Sequence, residues 1–214
     1  MSVNIEILNF LKYVIRTIFS IIVIDALIMS VPILQLKKRK EIPLKFSINM
    51  KNRIDFQHGN KCAAFATAYV LRHFNINSDG NTLYQHFPCK VPSGGVTPLG
   101  IRIVLRKHNL KTKYKKGSIY NLKEDLNNGA PVIVFIHSSP NSKGSHYVPV
   151  TGYDEDGFYM AESIEKLSNI TNEKGICNRK VNYKDFKIMW NIKNIYMPLY
   201  SNTYIVVSPK KDKS

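Results

Sequence analysis

Cys62 is the residue of this chain best placed to do chemistry. It follows the loop Gln57-His-Gly-Asn-Lys61 and opens the run Ala63-Ala-Phe-Ala-Thr-Ala-Tyr-Val-Leu-Arg-His-Phe74. Apolar residues recur there at helical spacing through Phe65, Ala66, Tyr69, Val70 and Phe74, with neither Pro nor Gly to interrupt them. That spacing predicts a helix starting at or just after Cys62. A thiol at a helix N-terminus sits against unpaired N–H groups and the positive end of the dipole, which favours the nucleophilic thiolate. Gln57, five residues upstream, can bring a side-chain N–H close to the sulfur. Acyl transfer needs such a donor beside the backbone N–H of the nucleophile. A lone cysteine on an apolar helix is more often a buried core residue, so partners elsewhere in the chain decide the reading.

A cysteine nucleophile needs a base within hydrogen-bond reach and an acceptor to orient that base. Of six histidines, His73 lies eleven residues along the same helix, about 16 Å from Cys62 and out of reach. His86 and His108 fall in or beside helical segments with no acid in a fixed relation. His137 ends the apolar run Pro131-Val-Ile-Val-Phe-Ile-His137, and His146 opens His146-Tyr-Val-Pro-Val-Thr-Gly152. Both runs read as strands, and antiparallel pairing would bring both histidines to one end of a sheet. The second run passes through the polar turn Tyr153-Asp-Glu-Asp-Gly157 into Phe158-Tyr-Met-Ala-Glu162, a β-hairpin pattern. Its return carries Glu162 towards His146, sixteen residues away in sequence. Asp154, at the tip, lies about 26 Å from His146 at strand rise. Glu162 can accept from one imidazole nitrogen and leave the other facing the thiol. Ser163 and Glu165 stand as alternatives, because one step of register changes which residue faces His146. Pro149 predicts that its strand is irregular or lies at an edge.

Several features in this order resemble a known family: Gln57, Cys62 with its small-residue helix, Gly-Ala-Pro-Val-Ile-Val at 129–134, His-Tyr-Val-Pro-Val-Thr-Gly-Tyr-Asp at 146–154, and Phe186 with Trp190. They look like the papain-like peptidases related to the double-glycine peptidase domains that cleave leader peptides in bacteriocin exporters. The likeness spans residues 50–200. It implies an α+β papain-like fold, with the Cys-bearing helix packed on an antiparallel sheet that carries the histidine. It implies Cys62 as nucleophile, His146 as base, Gln57 as oxyanion donor, and a peptide or protein substrate. No metal or cofactor is implied. Two positions depart from the family pattern: Ala63 stands where Gly usually follows the nucleophile, and Glu162-Ser163 stands where Asp, often before Pro, holds the third role. Two other readings stay open. One is a papain-like module that binds a peptide or leader without cleaving it; the other is a thiol amidase or acyltransferase acting on a non-peptide amide.

The elements that must position these residues are partly legible. Residues 41–56 read as extended, 77–81 as a loop and 82–87 as a helical turn. Thr97 caps a helix with Pro98 at its first position, running to Asn109. Residues 110–115 read as a strand, 118–128 as a helix closed by Gly129, 183–190 as a helix and 203–207 as a last strand. The stretches 88–97 and 138–145 show no pattern.

Residues 1–40 differ in kind from residues 41–214, the peptidase-like domain. Residues 17–36 hold twenty residues with one charge, Asp25, enough apolar length to cross a membrane as a helix. Asp25 at mid-span costs about 2.5–3.5 kcal/mol on insertion scales, which the Ile, Leu, Val and Phe residues offset. An anchor, a cleaved signal and an amphipathic surface helix all fit these residues; cleavage would give a secreted domain. The anchor is carried forward, because no small-x-small cleavage site precedes Lys37-Lys-Arg-Lys40. Lys37, Lys38, Arg39, Lys40, Lys45 and Lys51 outnumber Lys12 and Arg16 across the span. The positive-inside rule then favours the cytoplasmic face for residues 41–214, whereas stand-alone domains of the kind this chain resembles often work outside the membrane, so the side stays open. The chain of 214 residues carries a net charge of +16, and residues 41–214 carry +12, a surface that attracts anions. The dense runs Lys37–Lys40 and Lys111–Lys116 lack the aromatic interleaving of a nucleic-acid platform, which argues against that partner. The three cysteines, Cys62, Cys89 and Cys177, form no CxxC, so a standard structural zinc site is not expected; whether Cys89 and Cys177 pair stays open.

Overall fold

The computed structural model describes residues 2–36, 41–195 and 197–210. They fall into two compact units, Met1–Val31 and Pro32–Ser214. The first is a single helix, α1 (Ser2–Ser30). Its segment Ile7–Ser30 is long and apolar enough to cross a membrane, by length and composition. The helix stops short of the expected 17–36 span. Pro32 has no N–H to continue the ladder and disfavours helix at the residue before it. Ile33–Leu34 therefore leaves as a strand, β1. The basic run at 37–40 lies outside the described residues.

The second unit is an eight-stranded sheet with helices on both faces. Its order is β1, β3 (Leu110–Lys116), β8 (Thr203–Pro209), β4 (Val132–His137), β5 (Ser145–Tyr153), β6 (Gly157–Met160) and β7 (Arg179–Asn182). The short β2 (Phe46–Ser47) pairs with β5. Every pairing is antiparallel except β1 on β3.

Side-chain alternation builds the layers. Ile133, Phe135, Tyr147 and Ile205 pack with α2 (Cys62–His73) and α4 (Pro98–Lys107). Val132, Val134, Val148, Val150 and Tyr204 pack with α5 (Ile119–Leu126) and α6 (Tyr183–Trp190). A strand covered on both sides needs an unbroken apolar run, and residues 132–136 supply one. The caps follow local chemistry. Thr97 accepts from the Gly100 N–H ahead of α4, and Ser118 forms a capping box with Asn121 on α5. Asp79 caps α3 (Gly80–Gln85), which starts two residues before the expected turn. Sequence patterning shows neither β1 nor β7, nor the 3-10 helix Glu165–Leu167.

Pro149 has a specific effect. It sits inside the sheet, opposite Ile133 of β4, and its carbonyl accepts the Ala161 N–H on the β6 side. In an antiparallel ladder the N–H and C=O of one residue point to the same neighbour, so the missing N–H of Pro149 also falls on that side. The β5–β6 ladder, already shifted by a bulge between Val150 and Gly152, therefore ends just past Met160. Glu162 lies in the segment that leaves the ladder there.

Candidate active site

Cys62 is the first residue of α2, and Lys61 before it supplies no side-chain cap. The first N–H groups of the helix are thus left for the sulfur. Burial pushes the Cys62 thiol up. A hydrogen bond to His146, the imidazole charge, and backbone bonds from Tyr147 and Ala63 outweigh it and bring the thiol below the ordinary cysteine value.

His146 is the second residue of β5, opposite Ile136, and is buried. Its Nε2 lies 2.7 Å from Glu162 Oε1, which leaves Nδ1 for the thiol. Burial alone would lower the imidazole pKa; the Glu162 charge and the hydrogen bonds to Cys62 and Glu162 raise it to about 9. Glu162 is fully buried. Burial favours its neutral form, but His146, the Ile164 N–H and Arg179 hold it below the usual carboxylate range. Arg179 Nη1 donates to Glu162 Oε2 at 2.8 Å, and its Nη2 donates to the Ser138 carbonyl at 2.8 Å. Asn178 clamps the Glu162 backbone at both N–H and C=O, at 2.7 and 2.9 Å. From the half-buried Cys62 inward, sulfur, imidazole, carboxylate and guanidinium follow one another. An arrangement of this kind favours the ionised sulfur and a protonated neighbour, which is what a thiol nucleophile would need.

Gln57 enters from the loop before α2. Its backbone N–H donates to the Ser163 carbonyl at 2.8 Å, and its Oε1 accepts from Ser163 Oγ at 2.7 Å. Its Nε2 donates to the Gly59 carbonyl at 2.7 Å; the second hydrogen of that nitrogen is left for the cleft. Ser163 thus fixes Gln57 and not the imidazole. Glu165 opens the 3-10 helix and is exposed. His137 pairs with Ser145 at the end of β4 and does not line the cleft; its Nδ1 is buried without a partner among the described residues. His73 ends α2, and His86 and His108 cap the C-termini of α3 and α4.

Gln57, Cys62 and His146 line one cleft of about 460 Å³. Val91, Ser93 and Val96 form one wall, and Ser138, Gly144 and Ser145 another. These are the two stretches that showed no sequence pattern. Phe135, Tyr147 and Tyr200 give the cleft an aromatic end, with Phe135 centroids 4.5 Å from Tyr147 and 5.2 Å from Tyr200. Among the described residues no Lys, Arg, Asp or Glu lines it. Sequence reasoning missed Asn178, Arg179 and Tyr200. Asn178 lies just before, and Arg179 opens, a four-residue strand too short for a period to register. The three cysteines are free, and no cluster of His, Cys, Asp or Glu among the described residues could hold a metal.

Residues 44–193 match the model of a family described as the Peptidase_C39 like family. Comparison with curated proteins gives no match. Solved structures that share the fold include two peptidase domains. The peptidase domain of Streptococcus ComA, described as a bi-functional ABC transporter involved in a quorum-sensing pathway, is 18% identical with a TM-score of 0.55, over 74% of this chain and 99% of that one. A double glycine motif protease from an AMS/PCAT transporter, solved in complex with the leader peptide, is 13% identical with a TM-score of 0.52, over 78% of this chain and 100% of that one.

Proposed function

This chain belongs to the Peptidase_C39-like family, and on that premise we propose that it is a membrane-tethered cysteine peptidase acting on a peptide or protein segment. The observation that carries the reading is that Cys62 and His146 line one peptide-sized cleft, with His146 hydrogen-bonded behind to the buried Glu162. In this reading the Cys62 thiolate adds to a scissile carbonyl carbon. The carbonyl oxygen takes the negative charge, and the Cys62 N–H with the Gln57 amide stabilises it. The His146 imidazolium passes its proton to the leaving nitrogen as the C–N bond breaks, giving a thioester and a free amine. A water molecule then adds to the thioester, losing its proton to His146, and expulsion of the sulfur restores the thiolate. Glu162 holds the ring and offsets its positive charge.

The leader peptide in the double-glycine protease structure supports a peptide as occupant here too. The apolar residues of Ile7–Ser30 support a single-pass tether, and the basic excess after it supports a cytoplasmic face for the domain. The test pairs a thiol-reactive probe with a peptide library. Cys62 should be labelled fast at neutral pH and peptides cut. Cys62→Ala should lose labelling and cleavage yet stay folded, while Cys89→Ala and Cys177→Ala keep both. Slow labelling of all three thiols with peptide binding intact would replace the enzyme by a binding module.

A further inference from the structure

From Gly80 to Lys123 the chain holds nine Lys or Arg residues and no Asp or Glu. The fold gathers several of them at one edge. Lys111 and Lys113 stand on one face of β3, opposite Ser208 and Val206 of β8. Lys115, next on that face, is paired with Asp125 at 2.8 Å. The Lys210 N–H donates to the Asn109 carbonyl, which brings the end of β8 to the turn that follows Lys107, the last residue of α4. Lys107, Lys111, Lys113 and Lys210 are exposed, and among the described residues none of the four pairs with a carboxylate. Among the described residues, 110–114 of β3 pair only with β8, and β1 pairs with Lys115 and Lys116.

We propose that this lysine edge is a docking surface for an anionic lipid bilayer, the one that α1 enters. The inference rests on reading α1 as an anchor, and two observations select lipid. The surface offers charge on a strand edge with no aromatic platform, which suits a sheet of headgroups and not stacked bases. And β1, which pairs with β3, begins three residues after the end of α1, a path of about 10 Å at full extension. The tether therefore delivers the chain to the lysine-bearing strand itself. Lysines on an exposed edge also discourage pairing with other chains, but that role is indifferent to lipid charge.

The test footprints the full chain with an amine-acylating reagent in nanodiscs of phosphatidylcholine, with and without phosphatidylglycerol. Lys107, Lys111, Lys113 and Lys210 should react about fivefold more slowly in the anionic discs, and added salt of about 0.5 M should erase the difference. Lys166 and Lys184, exposed elsewhere, should not change. Lys111→Glu with Lys113→Glu should restore the reactivity of Lys107 and Lys210. Equal rates in both discs would overturn the proposal, as would slowing by added RNA in the neutral discs, which would make the edge a nucleic-acid surface. Release of the full chain by alkaline carbonate would sink the anchor reading separately; the proposal fails alone when the chain stays embedded and the lysines stay reactive.

Discussion

Replacing Glu162 with Gln keeps the size of the side chain and removes its charge. In the native site His146 titrates at about 9 against an ordinary 6.5, a gap worth about 3 kcal/mol in favour of the imidazolium. The Glu162 charge is the largest of the influences that raise it. Without it burial dominates, and His146 should fall to about 6.5 or below. The thiolate then loses its cation, and Cys62 should climb back towards an ordinary cysteine. In kcat/KM against pH the wild type should show an alkaline limb near 9, where the imidazolium loses its proton, and an acid limb where the thiolate gains one. In Glu162→Gln the alkaline limb should move below 7 and the acid limb up, so that the two cross. At pH 8 the fraction of imidazolium falls about thirtyfold. Iodoacetamide alkylation of Cys62 reads the acid limb without any substrate. Glu162→Asp keeps the charge and should hold both limbs near their native places at a lower plateau. If the alkaline limb of Glu162→Gln overlays the wild type, Glu162 does not set the protonation of His146 and the orienting role fails.

Two further outcomes test the surroundings. His146→Ala should lower kcat by several orders of magnitude, whereas His137→Ala, outside the cleft, should change it little; the reverse order in steady-state rates would transfer the base to the other strand. Arg179→Met leaves the buried Glu162 without its guanidinium and frees the Ser138 carbonyl. It should lower unfolding stability by about 3–5 kcal/mol in a guanidinium titration, and unchanged stability would show that Arg179 is not needed to offset the carboxylate.

The parts of the site that depend on periodicity were legible. Cys62 opens a helix because the apolar spacing begins there, and His146 lies at the start of a strand because the run 146–152 reads as one. The polar turn at 153–157 located the hairpin. What places Glu162 could not be read that way. The register shifts at the bulge after Val150, and the ladder stops beside Pro149. Continued straight, the hairpin sets Glu162 beside Val148, not His146. Its final position is set by Asn178 and Arg179, more than fifteen residues away, through bonds that no local pattern announces. The end of α1 was misplaced for a different reason: residues 33–36 are as apolar as a membrane span, and only Pro32 marks the change from helix to strand.

The break at Pro149 gives the two halves of the site different mechanical footing. His146 is fastened by the β4–β5 ladder, which fails only when the sheet does. Glu162 is fastened by the side chains of Asn178, just before β7, and Arg179, its first residue, so it can come loose in a partial opening that leaves the sheet standing. Heat or denaturant should therefore disarm the molecule before unfolding it. Amide protons at Glu162 and Ile164 should exchange through a shallow opening, while Val148 exchanges only with global unfolding. Inactivation would then precede loss of the far-ultraviolet dichroism, and cooling would restore the site without refolding the chain.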